Sequence, residues 1–437
     1  MKHWTNIISK FYYRVINSIA FYPTLMALLF LVCSIIVMSI EFNSIVIEFK
    51  STVERVLVHD ADNARLILGT IVGSIISLMV FSFSMVMIVL NRATSTLSPR
   101  VIPGLISDKF HQIVLGFYLG SIIFSLILIV NIEAPNVEFS VPSLGIFFSM
   151  LFAIICMGLF VYFIHSISQK IQVDYILNDI YKLTRKELES VDEQEAKVEV
   201  PNSDDWIECK ADDSGYLKKI DEKGLRLFCE KNDVRIKIEL SLGAFVMKGY
   251  PFLKIEKDLE EEVKKDVLTH FTLYTEERIT DHYSFGFKQI SEIAVKALSP
   301  GINDPGTASK AIDLLSDLFI KLIFVTERNY VLDKDDEVCL FLRPLPFEEL
   351  MTQIIIPIRE YGKKDISIMV RLLDCLKHML YVDKQEKRFS DLIRKFIYNV
   401  VVCSKEYINN ELDKEHINER LKVINRQLDE AKQIELL

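Results

Sequence analysis

The sequence predicts a membrane α-helical fold: four transmembrane helices, then an α+β tail with a small β-barrel-like unit followed by a helical bundle. Three observations predict it. Four runs lack any Asp, Glu, Lys or Arg: Val15–Ile40 with 26 residues, Leu66–Leu90 with 25, Ile113–Ile132 with 20 and Phe139–Ile164 with 26. Each can cross a hydrocarbon core of about 30 Å at about 1.5 Å of rise per residue. Beyond Gln169 the longest uncharged run is nine residues, as in Leu350–Ile358. The charge is also split, with 9 Lys+Arg and 8 Asp+Glu in residues 1–168 against 42 and 52 in the remainder.

The expected spans are 21–40, 66–90, 113–132 and 142–164, within a membrane domain of residues 1–168. The first run is too long for a signal-peptide core and no small-x-small cleavage site follows Ile40, so it is expected to stay as a helix. With the N-terminus inside, the inner segments carry Lys2, Lys10, Arg14, Arg92, Arg100 and Lys109, and the outer ones Lys50, Arg55 and Arg65. This positive-inside bias predicts an inner-membrane protein with both termini in the cytoplasm. Spans one and three, with few polar residues near their centres, read as lipid-facing packing.

Past His165 the positions Ile167, Ile171, Tyr175, Ile176, Ile180 and Leu183 keep a period near 3.6. Helix four is therefore expected to run on to about Ser190, and residues 169–200 form a juxtamembrane helix and linker. Residues 201–256 form a small β domain of short strands separated by glycines, with Val234, Ile236, Ile238 and Leu240 alternating. Residues 257–437 form a helical domain with helices at 258–281, 286–298, 305–327, 347–361, 363–382, 386–411 and 415–435. In the last, Ile417, Leu421, Ile424, Leu428 and Ala431 make a stripe too short for a stable coiled coil, so it packs on the tail.

An acidic tail lacks the basic footprint that nucleic acid requires. The seven cysteines form no CxxC pair and read as reduced thiols. GxSxG, GxxxxGK[ST], HExxH and GxGxxG are missing and no His pair has metal-ligand spacing. No catalytic residue, metal site or cofactor is expected, and the protein is not expected to be an enzyme.

Span two is the unusual one. Thr70, Ser77, Ser84 and Asn91 recur every seven residues, and Gly69, Gly73 and Ser77 have small-xxx-small spacing. Small residues allow close helix packing in lipid, where no hydrophobic force acts between helices. The same hydroxyls can also line a path for water or ions. Ser98, Pro99 and Arg100 follow in the inner loop, with Asp108 beyond. Arg100 is expected to act as a positive-inside anchor, or to pair with Asp108 or a lipid phosphate. His165 reads as an interfacial hydrogen-bonding group. In the segment Ala297–Ala308, Ser299-Pro300-Gly301 ends one helix, while Asn303 or Asp304 caps the next with Pro305 at its first position. The alternative reading of that loop is an anion-binding turn.

The segments "ADNARLILGTIVGSIISLMVFSFSMVMIVLNRATSTLSPRVI", "FIHSISQKIQVDYIL" and "ISEIAVKALSPGINDPGTASKAID" together resemble a bacterial family of predicted membrane proteins, domain of unknown function two-two-five-four. The resemblance runs in order over nearly the whole chain. It implies four spans in the inner membrane and a cytoplasmic C-terminal domain, and it carries over no established activity. Its motif positions here are Ser98, Pro99, Arg100, Asp108, His165, Asn303, Asp304 and Pro305. Two departures stand out: His165-Ser166 where the family often has two histidines, and Gly306 after Pro305.

Two functions are expected from different classes. One is a homo-oligomeric channel or pore with a cytoplasmic regulatory domain, its partners being the lipid bilayer and further copies of the chain. The other is a non-conducting scaffold or sensor whose tail binds a protein or small ligand.

Overall fold

The computed structural model describes residues 20–41, 57–96, 109–133, 141–170, 172–191, 198–274 and 279–437. The chain divides into two compact units, with the break at Gln172. The first holds four helices: α1 (Phe21–Ile40), α2 (Ala61–Thr96), α3 (Lys109–Val130) and α4 (Ser143–Lys170). All four are long and apolar enough to cross a membrane.

The third helix is the centre of this unit. Half of its membrane window is buried, against 17% for α1 and for α2. The lipid-facing reading of this span is therefore wrong, because glycines on α3 admit α1 at backbone distance. A Cβ at Gly116 would lie 3.1 Å from Pro23 and Met26, and one at Gly120 would lie 2.7 Å from the Phe30 ring. Small residues permit such approach, and dispersion contacts then hold the helices. Phe30 makes edge contacts with Phe117 at 5.1 Å and tilted contacts with Phe152 at 5.0 Å. Phe124 joins Phe152 at 5.1 Å. Leu128 of α3 likewise sits over Gly145 of α4, 2.6 Å from where its Cβ would be.

The second unit starts with α5 (Val173–Glu189), so the helical pattern after His165 belongs to two helices rather than one. Gln172 lies outside both. Helix α5 is amphipathic and buries Ile176, Leu177, Ile180, Thr184 and Leu188. It lies on helices of its own unit, because Gly286 leaves room for Thr184 and Tyr181 donates to Asp317 at 2.6 Å.

The region from 207 to 341 mixes strands and helices: β1 (Ile207–Lys210), β2 (Gly215–Ile220), α6 (Glu222–Asn232), β3 (Ile236–Ile238), β4 (Phe245–Val246), β5 (Pro251–Ile255), α7 (Glu261–Leu268) and β6 (Phe271–Tyr274). After a 3₁₀ turn at Ile279–Asp281 come α8 (Ser284–Ala297), α9 (Pro305–Phe324), β7 (Tyr330–Leu332) and β8 (Val338–Phe341). The strands make a five-stranded sheet, β1-β5-β3-β8-β7, and a three-stranded one, β4-β2-β6. No closed barrel forms among the described residues. The β unit is also not self-contained, since β8 runs parallel to β3 with Ile236 opposite Leu340. The helix expected over 258–281 is short, because Phe271 and Leu273 pair with β2 instead and lie in or against the core. Leu217, Ile236, Leu253, Ile255 and Leu340 are fully buried in that core.

The remaining helices are α10 (Phe347–Gly362), α11 (Ile366–Glu386), α12 (Ser390–Tyr407) and α13 (Glu411–Asn425). The apolar stripe of α13 is buried at Ile417, Leu421 and Ile424. This helix stops at Asn425, short of the expected 435. Asn418 and Asn425, on one face seven residues apart, clasp the backbone of Leu437 and Ile434 with four hydrogen bonds of 2.8–3.2 Å. The chain turns back at this point because side-chain amides replace the helical partners of its last backbone groups.

The α1–α3 contact gives a direct test. Gly120→Val forces the Phe30 ring aside and lowers the stability of the detergent-solubilised protein by about 1–3 kcal/mol. Adding Phe30→Ala to that variant recovers part of the loss. Thermal unfolding followed by circular dichroism checks both, and an unchanged midpoint in Gly120→Val would contradict the packing described.

Candidate functional site

The polar stripe of α2 faces away from its own unit. Thr70, Ser77, Ser84 and Asn91 are exposed, as are Gly69 and Gly73. A Cβ at Gly69 or Gly73 would meet no atom within 4 Å. The helix turns about 100° per residue, so Leu68, Ile75 and Ser82, two residues before Thr70, Ser77 and Ser84, lie on the opposite side and are buried. The small residues therefore do not pack against another described helix of the same chain. That task falls to Gly116 and Gly120 on α3.

The stripe hydroxyls are satisfied within their own helix. Thr70 donates to the Leu66 carbonyl at 2.7 Å, Ser77 to Gly73 at 3.0 Å and Ser84 to Val80 at 2.9 Å. Such i−4 bonds remove most of the cost of a hydroxyl in an apolar medium. What remains is a smooth, weakly polar face that another backbone can approach. Val80, Phe81, Phe83, Met87 and Ile88 flank it as exposed apolar side chains.

The buried polar groups of this unit are others. Ser125 and Ser149 share a hydrogen bond of 2.6 Å between α3 and α4, and the Cys156 thiol reaches Ser121 at 3.6 Å. At the ends of the spans, Glu41 accepts from the Leu144 amide at 3.2 Å. Its carboxylate thus sits at the N-terminus of α4, where the helix dipole favours a negative charge. Arg65 of α2 bridges Glu133 beyond α3 at 2.7 Å. These pairs tie α1 to α4 and α2 to α3. The i,i+4 pair Ser121/Ser125, just past Gly120, is a sequence pattern that marks the α4-facing side of α3 and that was not among the sequence expectations.

The motif residues are scattered. Ser98, Pro99, Arg100 and Asp108 lie outside the described residues. His165 is exposed on α4, its Nε2 3.2 Å from the Gln169 amide nitrogen. The loop before α9 is a pair of caps. Asn303 adopts φ 49, a left-handed geometry that asparagine tolerates. Its amide bonds back to Ser299 at 2.9 Å, and that of Asp304 to Ala297 at 2.8 Å. Asp304 then accepts the Thr307 amide at 3.1 Å and the Thr307 hydroxyl at 2.6 Å, with Pro305 opening the helix. The N-terminus of α9 is thus already served by a carboxylate of the chain. The nearby Lys310 turns to Asp174 at 2.9 Å.

Among the cavities of the C-terminal unit are one of about 570 Å³ and one of about 350 Å³. In the larger, Lys288 and Arg343 face Glu292 and Glu349, so its charges balance.

The two bonds from Thr307 hold the Asp304 carboxyl below its ordinary value of 3.8. A carboxyl whose pKa is lower in the folded state adds stability above the unfolded value. That addition fades as pH falls through the folded one. Asp304→Ala is expected to cost about 1 kcal/mol near neutral pH. The gap between variant and wild type should close below about pH 4. Chemical unfolding of both proteins across that range checks the sign.

Two mycobacterial relatives are described as uncharacterised proteins. One described as an uncharacterised protein of Mycobacterium tuberculosis, strain CDC 1551 / Oshkosh, is 23% identical over 330 residues, which cover 72% of this chain and 63% of the relative. An uncharacterised protein of Mycobacterium bovis matches with the same identity and coverage. The chain thus spans less than two thirds of the length of these relatives. No solved structure matches. The family described as predicted membrane protein (DUF2254) matches residues 16–378. The four spans and this match over most of the chain make the protein a member of that membrane-protein family.

Proposed function

We propose that the protein is a homo-oligomeric channel or pore of the inner membrane, regulated by a cytoplasmic C-terminal unit. The observation that carries this reading is the uncovered small and polar face of α2, with Gly69, Gly73 and Ser77 exposed and meeting no other described helix of their own chain. In lipid such a face gains by close approach of another helix. Further copies of the chain supply one, and a ring of such faces lines a shared axis with hydroxyls. The interior of a single unit is filled by the rings of Phe30, Phe117, Phe124 and Phe152, so permeation requires more than one copy. The excess of Lys and Arg on one set of flanks supports a cytoplasmic C-terminal unit.

A second reading, a non-conducting membrane-anchored scaffold or sensor, draws on one observation. The stripe hydroxyls already bond their own backbone and need no water.

Single cysteines separate these readings, in a protein whose seven native cysteines are replaced by alanine. In nanodiscs under a copper–phenanthroline oxidant, Gly73→Cys cross-links to dimers, while Ser125→Cys, buried between α3 and α4, does not. In proteoliposomes the wild type passes potassium or chloride, and Ser77→Trp reduces that flux by about tenfold or more. A strictly monomeric protein would sink the channel reading. Flux unchanged by Ser77→Trp would remove the α2 stripe from the path.

A further inference from the structure

We propose that the cavity of about 350 Å³ in the C-terminal unit binds an organic anion with a flat, aromatic body, its charged group held by Arg388. This inference does not depend on the channel reading. The cavity has the size of a small-ligand site, and its walls are mostly apolar with a few fixed polar groups, as such sites require.

The apolar wall is built from the core outward. A row of rings runs from Phe287 to Phe319 at 4.9 Å, to Phe347 at 5.9 Å and to Phe389 at 4.2 Å, the last pair stacked. Phe347 and Phe389 end the row in the cavity wall. A flat aromatic body extends such a row through edge contacts with these rings.

The charged side chains of the wall are committed in different degrees. Lys237 pairs with Glu239 at 3.0 Å. Arg343 donates to the Glu239 carbonyl at 2.7 Å and approaches Glu349 at 4.0 Å. Glu327 accepts from the Tyr283 phenol. Burial and that carboxylate hold the phenol well above its usual range, so it stays a donor. Arg388 differs. Its guanidinium lies over the Phe389 ring at 5.2 Å and spends Nη1 on the Ile323 carbonyl at 3.0 Å. It has no carboxylate partner among the described residues.

One nearby acid, five residues before it, is committed elsewhere. Asp383 is fully buried and is spent on the turn, where it accepts the Arg388 and Phe389 amides at 3.0–3.2 Å and the Ser390 hydroxyl at 2.6 Å. The turn that carries Arg388 is therefore fixed by a carboxylate the guanidinium does not use. The wall is fixed as well. Asn329 clasps the Val198 backbone through both its amide groups, at 2.8 and 3.0 Å. A guanidinium with unspent donors at the edge of an aromatic cavity suits a planar carboxylate, which takes two parallel N–H bonds.

The test uses the full-length protein in nanodiscs. The probe is 4′-(trifluoromethyl)biphenyl-4-carboxylate, followed by its fluorine NMR line width, with empty nanodiscs as blank. The matching carboxamide, which has the same shape without the charge, is the comparison. The carboxylate is expected to bind the wild type above the blank. Binding should weaken about tenfold or more in Arg388→Gln and stay unchanged in Lys384→Gln, an exposed cation on α11 that does not line the cavity. The carboxamide should bind the wild type more weakly than the acid, a comparison that needs no variant and so survives any folding defect in Arg388→Gln. The proposal is overturned if the acid binds no better than to empty nanodiscs. It is overturned equally if the amide matches the acid, or if Arg388→Gln and Lys384→Gln bind alike.

Discussion

Two glycines on α3 decide how the membrane unit is built. Gly116 and Gly120 let Pro23, Met26 and Phe30 of α1 reach the α3 backbone. In lipid this close approach replaces the hydrophobic force that folds a soluble core. Once α1 occupies that side of α3, the rings of Phe117, Phe124 and Phe152 fill the centre with Phe30. Ser125–Ser149 and Glu41–Leu144 then fix α4. Helix α2 joins through Leu68 and Ile75, and its opposite, small-residue face is left open. The functional proposal rests on that remainder.

The spans themselves were legible because hydrocarbon thickness and charge exclusion leave few alternatives to a run of twenty apolar residues. Which span lies inside was not. Spans α1 and α3 look alike by composition, and burial in a bundle is set by shape, which apolar composition does not encode. The small-xxx-small spacing at Gly69/Gly73 was visible and pointed to packing. The same signal at Gly116/Gly120 marks the contact that the unit makes internally. Spacing identifies a helix that can be approached closely, and only geometry says by whom.

The C-terminal unit shows the complementary limit. The strand pattern around Ile236 and Ile238 was readable, as was the Asp304-Pro305 cap, since both rest on local chemistry. The partners of those strands were not, because β8 comes from about a hundred residues downstream to pair with β3. The arginine of the proposed anion site was equally silent. Arg388 is one of many cations in the tail, and it stands out only once Asp383 is seen to be spent on the turn beneath it.

The claim that further copies cover the open face of α2 can be read most directly with a spin label at Ser77 in nanodiscs. The account predicts dipolar broadening between labels on neighbouring copies, with access to a water-soluble nickel reagent exceeding access to oxygen. A label that is magnetically isolated, open to oxygen and closed to nickel would place this face in lipid and contradict the account.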